Sequence, residues 1–392
     1  MKQFANLLLV LLFVIFTIVF VEGSSRLYNL ICPAQATSWK EFRLSIPAPY
    51  KNAAYDIKNL IGESQNITWK TDPGYGYIPN DIHGNYVNII NGYRKTSNVT
   101  ASSQIAKRFW FFGGSTVMCV EVPDKLTMPS YFDAMAKAKF GNNSIETINA
   151  GATTITIIHQ VYRLRHMIDI KKGDIVIFVD GVNDVIQTLY MQNPTGTMIQ
   201  FNREQIKSAG WLLKYRLLTY EKLSPYSMFV KRFLNPVTPS YLSVKVSADL
   251  LNTLEDNYLK AIKEADEYVK SRGGIFFHFL QPNLFTVNKL TSYEKSLLKN
   301  GYVVLIPLID VYPKGYARLR KAVERAKKQG IFTFDISDAF NSRESAIFLD
   351  YCHVNEVGNE LLASAIFSIV SKNLKFIKTV PPSESIIGQV QH

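Results

Sequence analysis

From residue 108 onward, apolar strand-like runs alternate with amphipathic helical stretches, and no other feature restricts the fold of this chain as strongly. The runs are RFWFF (108–112), IETIN (145–149), DIVIFVD (174–180), IFFHFL (275–280) and IFTFDI (331–336). Between them, TIIHQVYRLRHMI (156–168) and the segments near 250–270, 315–328 and 356–372 repeat apolar residues at spacings of three and four. Apolar strands joined by such helices imply a parallel sheet covered on both faces. Ligands of sheets of this kind bind at the carboxyl ends of the strands.

The 392 residues, 47% of them hydrophobic, suffice for one large domain with additions and a core that needs no disulfides. The alternating pattern places that domain at 106–375. Two stretches exceed the minimal unit. Residues 185–248 follow the third strand and contain Pro194, Pro225, Pro236 and Pro239; residues 283–312 follow the fourth. Both leave from strand carboxyl ends, in position to wall a cleft. Residues 24–105 form an irregular extension without sustained periodicity. Within it, Asn91-Gly92 between two short β-prone runs fits a type I′ hairpin. Asn66, Asn98 and Asn142 open N-x-S/T sequons, which matter only in a host that glycosylates. The tail, 376–392, reads as flexible.

Phe4 to Val21 is apolar apart from Asn6 and Thr17, and only Lys2 precedes it as a charge. A segment of this length just reaches the span of a bilayer and exceeds the usual signal-peptide core of about 7–15 residues. With no polar face, it does not read as a helix of a soluble core. Residues 1–23 therefore read as a transmembrane anchor with the bulk of the chain outside the cytoplasm. Val21 and Gly23 offer small residues for cleavage, so a signal peptide with a secreted product is the competing reading.

The formal charge of +12 arises from 44 basic and 32 acidic residues, without a dense Lys/Arg block interleaved with aromatics. That argues against a nucleic-acid partner and suits an anionic envelope surface or glycan, or simple solubility. The three cysteines, Cys32, Cys119 and Cys352, have no zinc-type spacing and form no disulfide framework; free thiols are the default reading.

Four short blocks fall at strand ends or in the last loop: Gly113-Gly114-Ser115-Thr116, Asn149-Ala150-Gly151, Gly181-Val182-Asn183-Asp184, and Asp350-x-x-His353 within FLDYCHVNEVGNELLA. Singly, each is ordinary turn or cap chemistry. Together, in this order and at matching topological positions, they are specific. The set resembles the SGNH hydrolases, also called the GDSL family, over roughly residues 108–372. The family's Ser, Gly, Asn and His correspond to Ser115, Gly151, Asn183 and His353, with Asp350 from the last block. The resemblance implies a flavodoxin-like three-layer α/β/α domain with a central parallel five-stranded sheet, and it calls for no cofactor. Gly-Gly-Ser-Thr stands where the namesake has Gly-Asp-Ser-Leu, a variant similar to that of membrane-anchored bacterial members with long N-terminal extensions. Asn91-Gly92-Tyr93-Arg94 is similar to a segment preceding the first block in those relatives, a reading that competes with the hairpin.

The chemistry also follows from the residue types. A serine hydroxyl needs a neighbouring base, and His353 is the best placed of six histidines. Asp350, three residues earlier, is placed to orient the imidazole and stabilise its protonated form. The backbone N–H of Ser115, the N–H of Gly151 and the amide of Asn183 are candidates to receive the oxyanion formed on attack at an acyl carbon. His278, inside an apolar strand, reads as core. His159 and His166 lie seven apart on one helix without metal-ligand partners and read as packing residues. Asp184 reads as a helix cap rather than a second catalytic carboxylate. Cys119 and Cys352 fall close in sequence to Ser115 and His353 without the context of a catalytic thiol.

These readings converge on a membrane-anchored, extracytoplasmic serine esterase. The resemblance makes O-acetyl or related O-acyl groups on an envelope or secreted polysaccharide the expected substrate. Transfer of the acyl group to a sugar hydroxyl uses the same residues, and a lipid ester suits the aromatic-rich inserts. From another class, a glycan-binding or assembly protein on an inactive scaffold has no need to keep Ser115, Gly151, Asn183, Asp350 and His353 together.

Overall fold

The computed structural model describes residues 2–31, 43–44, 48–96, 107–141, 145–195, 227, 246–298 and 308–379. Most of the 185–248 stretch, Cys32, Asn98, Asn142 and the tail after Thr379 lie outside the described residues. The chain begins with α1 (Lys2–Ile31), whose Leu9–Leu27 window has mean hydropathy 1.9 and is long and apolar enough to cross a membrane. The extension then forms α2 (Ile57–Gln65), a hairpin of β1 (Trp69–Asp72) and β2 (Gly76–Pro79), and three short strands, β3 (Ile82–His83), β4 (Asn88–Ile90) and β5 (Tyr93–Arg94).

The domain proper runs β6 (Lys107–Gly113), α3 (Ser115–Met118), α4 (Met128–Phe140), β7 (Ile145–Asn149), α5 (Ile157–His166), β8 (Ile175–Asp180) and α6 (Val182–Val185). It continues as α7 (Ala248–Ser271), β9 (Ile275–Leu280), α8 (Ser292–Leu297), α9 (Leu308–Lys328), β10 (Thr333–Asp335) and α10 (Glu356–Thr379). The order β10-β9-β8-β6-β7 is wholly parallel and is the flavodoxin-like arrangement.

The sheet is wider than five strands. β5, β4 and β3 continue it beyond β7 as antiparallel neighbours, giving eight in all. These added strands are two or three residues long, too short to show the period of two by which a strand is recognised in sequence. The extension is therefore built into the sheet rather than appended to it. Asn91 and Gly92 have φ of 54° and 75° and Ile90 pairs with Tyr93, so the type I′ hairpin is present. Two helices also run further than their periodicity indicated. α9 starts at Leu308 because Pro313 near its beginning removes one hydrogen bond without ending it, and α10 continues to Thr379.

Strand β6 lies between β7 and β8 and is apolar on both sides because both faces are covered. Phe109 and Phe111 stack edge-on against Phe132 of α4, which in turn meets Phe367 of α10. Phe112 packs on the other face against Phe178, and Phe178 against Phe276. Helices α5, α7 and α9 lie together as a second helical group. The strand order reverses at β6, so the crevice beyond the ends of β6 and β8 is the topological switch point where such folds take ligands.

Candidate active site

Ser115 is the first residue of a single helical turn that starts as soon as β6 ends. Two close approaches explain the preceding glycines. A Cβ at Gly113 would lie 2.5 Å from the Val179 carbonyl of β8, and one at Gly114 would lie 2.5 Å from Asn183 Nδ2. Without side chains, the strand end lies flush against β8 and the serine turn lies against Asn183.

His353 reaches this turn from the loop before α10. Its Nε2 is 2.8 Å from Ser115 Oγ, and its Nδ1 is 2.7 Å from Asp350 Oδ2. Asp350 Oδ1 accepts the backbone N–H groups of Cys352 and His353 at 2.8 and 2.7 Å, which fixes the carboxylate against the loop it serves. Burial acts to raise the Asp350 carboxyl, but His353 and Arg43 outweigh it and hold the group well below the usual carboxylate range. Burial acts to lower the His353 imidazole; Asp350, then Cys352 and Glu121, outweigh it and hold the ring well above the ordinary histidine value. An ionised Asp350 thus stabilises positive charge on His353, as a Ser–His–Asp arrangement requires.

Arg43 and Glu121 carry no signal in the sequence. Arg43, fully buried, donates from Nη2 to Asp350 Oδ2 at 2.5 Å and lies 3.6 Å from Glu121 Oε1. Glu121 Oε1 is 3.7 Å from His353 Nε2. Arg43 therefore sits against both carboxylates that flank the imidazole. The charges alternate around this ring, which offsets much of the cost of burying them.

Arg94 does comparable work beneath the serine turn. It donates to the carbonyls of Met118, Cys119 and Val122 and pairs with Asp124 at 2.9 Å. Those carbonyls belong to the end of α3 and the segment after it, where Cys119 holds a left-handed φ of 53°. The Asn91-Gly92-Tyr93-Arg94 hairpin thus delivers the arginine that caps the serine turn.

The candidate oxyanion donors are placed unequally. Asn183 follows β8, directs Nδ2 to the Ile155 carbonyl at 2.8 Å, and holds that nitrogen beside Gly114. The Ser115 N–H is at the start of its turn, where no intrahelical acceptor exists. The Gly151 N–H is engaged by Asn149 Oδ1 at 3.0 Å. A Cβ at Gly151 would stand 2.4 Å from Met118 N, so the glycine lets this loop close on the serine turn. Thr116 donates to Gln281 Oε1 at 2.8 Å, and both line the crevice with Ser115 and Asn183. The crevice is small, about 10 Å³.

Asp184 and His159 both serve the start of α5. Asp184 accepts the N–H of Ile157 at 3.0 Å and so caps α5, the helix across the crevice rather than the turn it belongs to. His159 completes a capping box with Thr156, and burial pushes its pKa down to about 4. Cys119 and Cys352 are free and buried; burial pushes their thiols up to about 12 and about 11. Asp350, Cys352 and His353 bring potential metal-ligand atoms within 4.8 Å. Within that cluster, Asp350 and His353 bond each other, and they also bond Arg43 and Ser115 respectively.

No known family model matches the sequence, and no curated protein matches it. Among solved structures, an alpha/beta hydrolase enzyme from the metagenome of Lake Arreo is 14% identical, with a TM-score of 0.38 over 69% of this chain and 96% of its own. A member of the lipolytic protein G-D-S-L family from Veillonella parvula is 13% identical, with a TM-score of 0.38 over 68% and 100%. An acetylxylan esterase from Geobacillus stearothermophilus is 13% identical, with a TM-score of 0.38 over 69% and 95%. These are similarities of general architecture.

Proposed function

We propose that this chain is a serine esterase of the SGNH kind that removes O-acetyl or related small O-acyl groups from an envelope or secreted polysaccharide. The observation that carries the reading is the continuous path Ser115 Oγ–His353 Nε2, His353 Nδ1–Asp350 Oδ2, closed across 238 residues of sequence. In this mechanism Ser115 attacks the acyl carbon while His353 takes its proton. The oxyanion is received by the Ser115 N–H and Asn183 Nδ2. The Gly151 N–H would have to leave Asn149 Oδ1 to join them. Collapse expels the sugar hydroxyl, protonated by His353, and leaves an acyl-Ser115 ester. Water, deprotonated by the same imidazole, then releases the acid. Three features support a small acyl group and an extracytoplasmic carrier: the narrow crevice, the basic balance of the chain, and the apolar helix α1, read as a membrane anchor.

The test is turnover of an ester panel by the full chain in detergent. Acetyl esters should be cleaved, longer acyl chains more slowly, and none by Ser115→Ala. Equal turnover by Ser115→Ala would remove the serine from the scheme.

A further inference from the structure

Apart from the crevice, the described residues line a far larger, half-open cavity of about 600 Å³. This is within the size range of ligand pockets, about 300–1,000 Å³. Its walls come from the N-terminal extension, from the segment after the nucleophile turn and from the first residue of α10. Tyr55 and Tyr86 form an aromatic wall, with ring centroids 6.3 Å apart and inclined at 55°. Asn52, Asn85, Lys95 and Lys125 are exposed around it.

Tyrosine rings offer apolar faces for the C–H side of a pyranose while their edges remain wet. Asparagine amides and lysine ammonium groups supply donors for hydroxyls and carboxylates. The charge balance is also directional. Of the charged residues lining the cavity, Asp124 is ion-paired with Arg94 and Glu356 accepts the Tyr55 hydroxyl at 2.9 Å, whereas Lys95 and Lys125 are exposed at the rim.

The cavity and the relay share two chain segments. Glu121 lies beside His353 and Asp124 lines the cavity, three residues on; His353 carries the relay and Glu356 lines the cavity, again three residues on. Three residues span at most about 11 Å even when fully extended. Both rims are therefore within a short stretch of backbone from the imidazole.

We infer that this cavity is a carrier subsite, which holds the unreacted part of an acidic sugar chain while one of its acyl groups enters the crevice. The identity of the bond cleaved rests on the esterase reading above; binding in the cavity does not. The probe is a galacturonic acid oligomer, titrated calorimetrically into the full-length Ser115→Ala protein, with a neutral xylo-oligosaccharide as control. Binding of the uronate should weaken at least tenfold in Lys95→Glu/Lys125→Glu and weaken with added salt. Both lysines are exposed, so the substitutions leave the core intact. With Ser115 restored, the double variant should raise KM for an acetylated polyuronate and leave hydrolysis of p-nitrophenyl acetate unchanged. No uronate binding, binding undiminished by the double variant, or equal binding of the neutral oligomer would overturn the inference. Failure of the wild-type chain to cleave p-nitrophenyl acetate would instead defeat the esterase reading and leave the binding result to stand or fall separately.

Discussion

Among the described residues, two histidine–aspartate pairs have contrasting surroundings. His353 and Asp350 lie in the loop before α10. His278 and Asp180 lie on adjacent strands, β9 and β8, with Nε2 3.2 Å from Oδ1. The difference is in the second nitrogen and in access. His278 Nε2 also meets the Tyr258 hydroxyl at 2.9 Å, Nδ1 meets Thr333 Oγ1 at 2.7 Å, and the side chain is fully buried. Every direction from that ring is closed by the core. The His353 side chain is 13% exposed, and its outer nitrogen faces a serine at the mouth of the sheet. A histidine–aspartate pair is thus one component of a relay. A nucleophile, and an opening through which substrate reaches it, make it a site.

The comparison breaks most visibly if the two histidines are exchanged as targets. His353→Ala and Ser115→Ala should each lower kcat on the order of 10⁶-fold, with thermal melts close to wild type. His278→Ala should leave turnover per folded molecule nearly unchanged. Steady-state rates normalised to the folded fraction decide this. Asp350→Asn should cost less than His353→Ala, about 10⁴-fold, because it misorients the imidazole without removing it. Asn183→Ala should lower kcat by about 10²–10³-fold with little change in substrate affinity, since its amide meets charge that develops only in the transition state.

On the structural side, His278→Ala leaves Tyr258, Thr333 and Asp180 short of a buried partner. Unfolding by urea should show a loss of about 1–3 kcal/mol, a change absent from His353→Ala. The smallest effect is in pH. His353 must lose its proton to act as base, and the surrounding carboxylates raise its pKa, so kcat/KM should rise with pH through a midpoint above the ordinary histidine value. Removing a positive charge favours the imidazolium and removing a negative charge disfavours it. Arg43→Ala should therefore move this limb to higher pH and Glu121→Gln to lower pH. A purely structural role predicts no opposed shifts.

Part of the crevice lining, Gly114-Ser115-Thr116 and Gly181-Val182-Asn183, was legible in the sequence because strand ends impose local signatures; Ile155 and Gln281 were not. Gly113-Gly114-Ser115, Gly151 and Gly181-Val182-Asn183 mark places where the backbone must turn tightly or another chain segment approaches closely. The five parallel strands were legible because burial on both faces leaves continuous apolar runs. The supports were not. Arg43 and Glu121 belong to no motif or periodic run, and only tertiary burial brings them onto Asp350 and His353. Arg94 lay within a noted segment, yet its contacts with the carbonyls after Ser115 depend on β5 pairing with β7. The β4–β5 hairpin was legible from Asn91-Gly92, but β3, and the joining of all three strands to the main sheet, were not, for lack of length. His278 was read correctly as core from its apolar strand, but not its bonds to Asp180, Tyr258 and Thr333, which come from three other elements.

The central claim is that Ser115 is a nucleophile activated by His353, and covalent labelling tests it most directly. A fluorophosphonate incubated with the full-length protein, followed by peptide mapping by mass spectrometry, should place one adduct on Ser115. The adduct should form at the wild-type rate in His278→Ala once corrected for the folded fraction, and should be all but lost in folded His353→Ala. Labelling at another residue, or equal labelling of Ser115 with and without His353, would contradict the account.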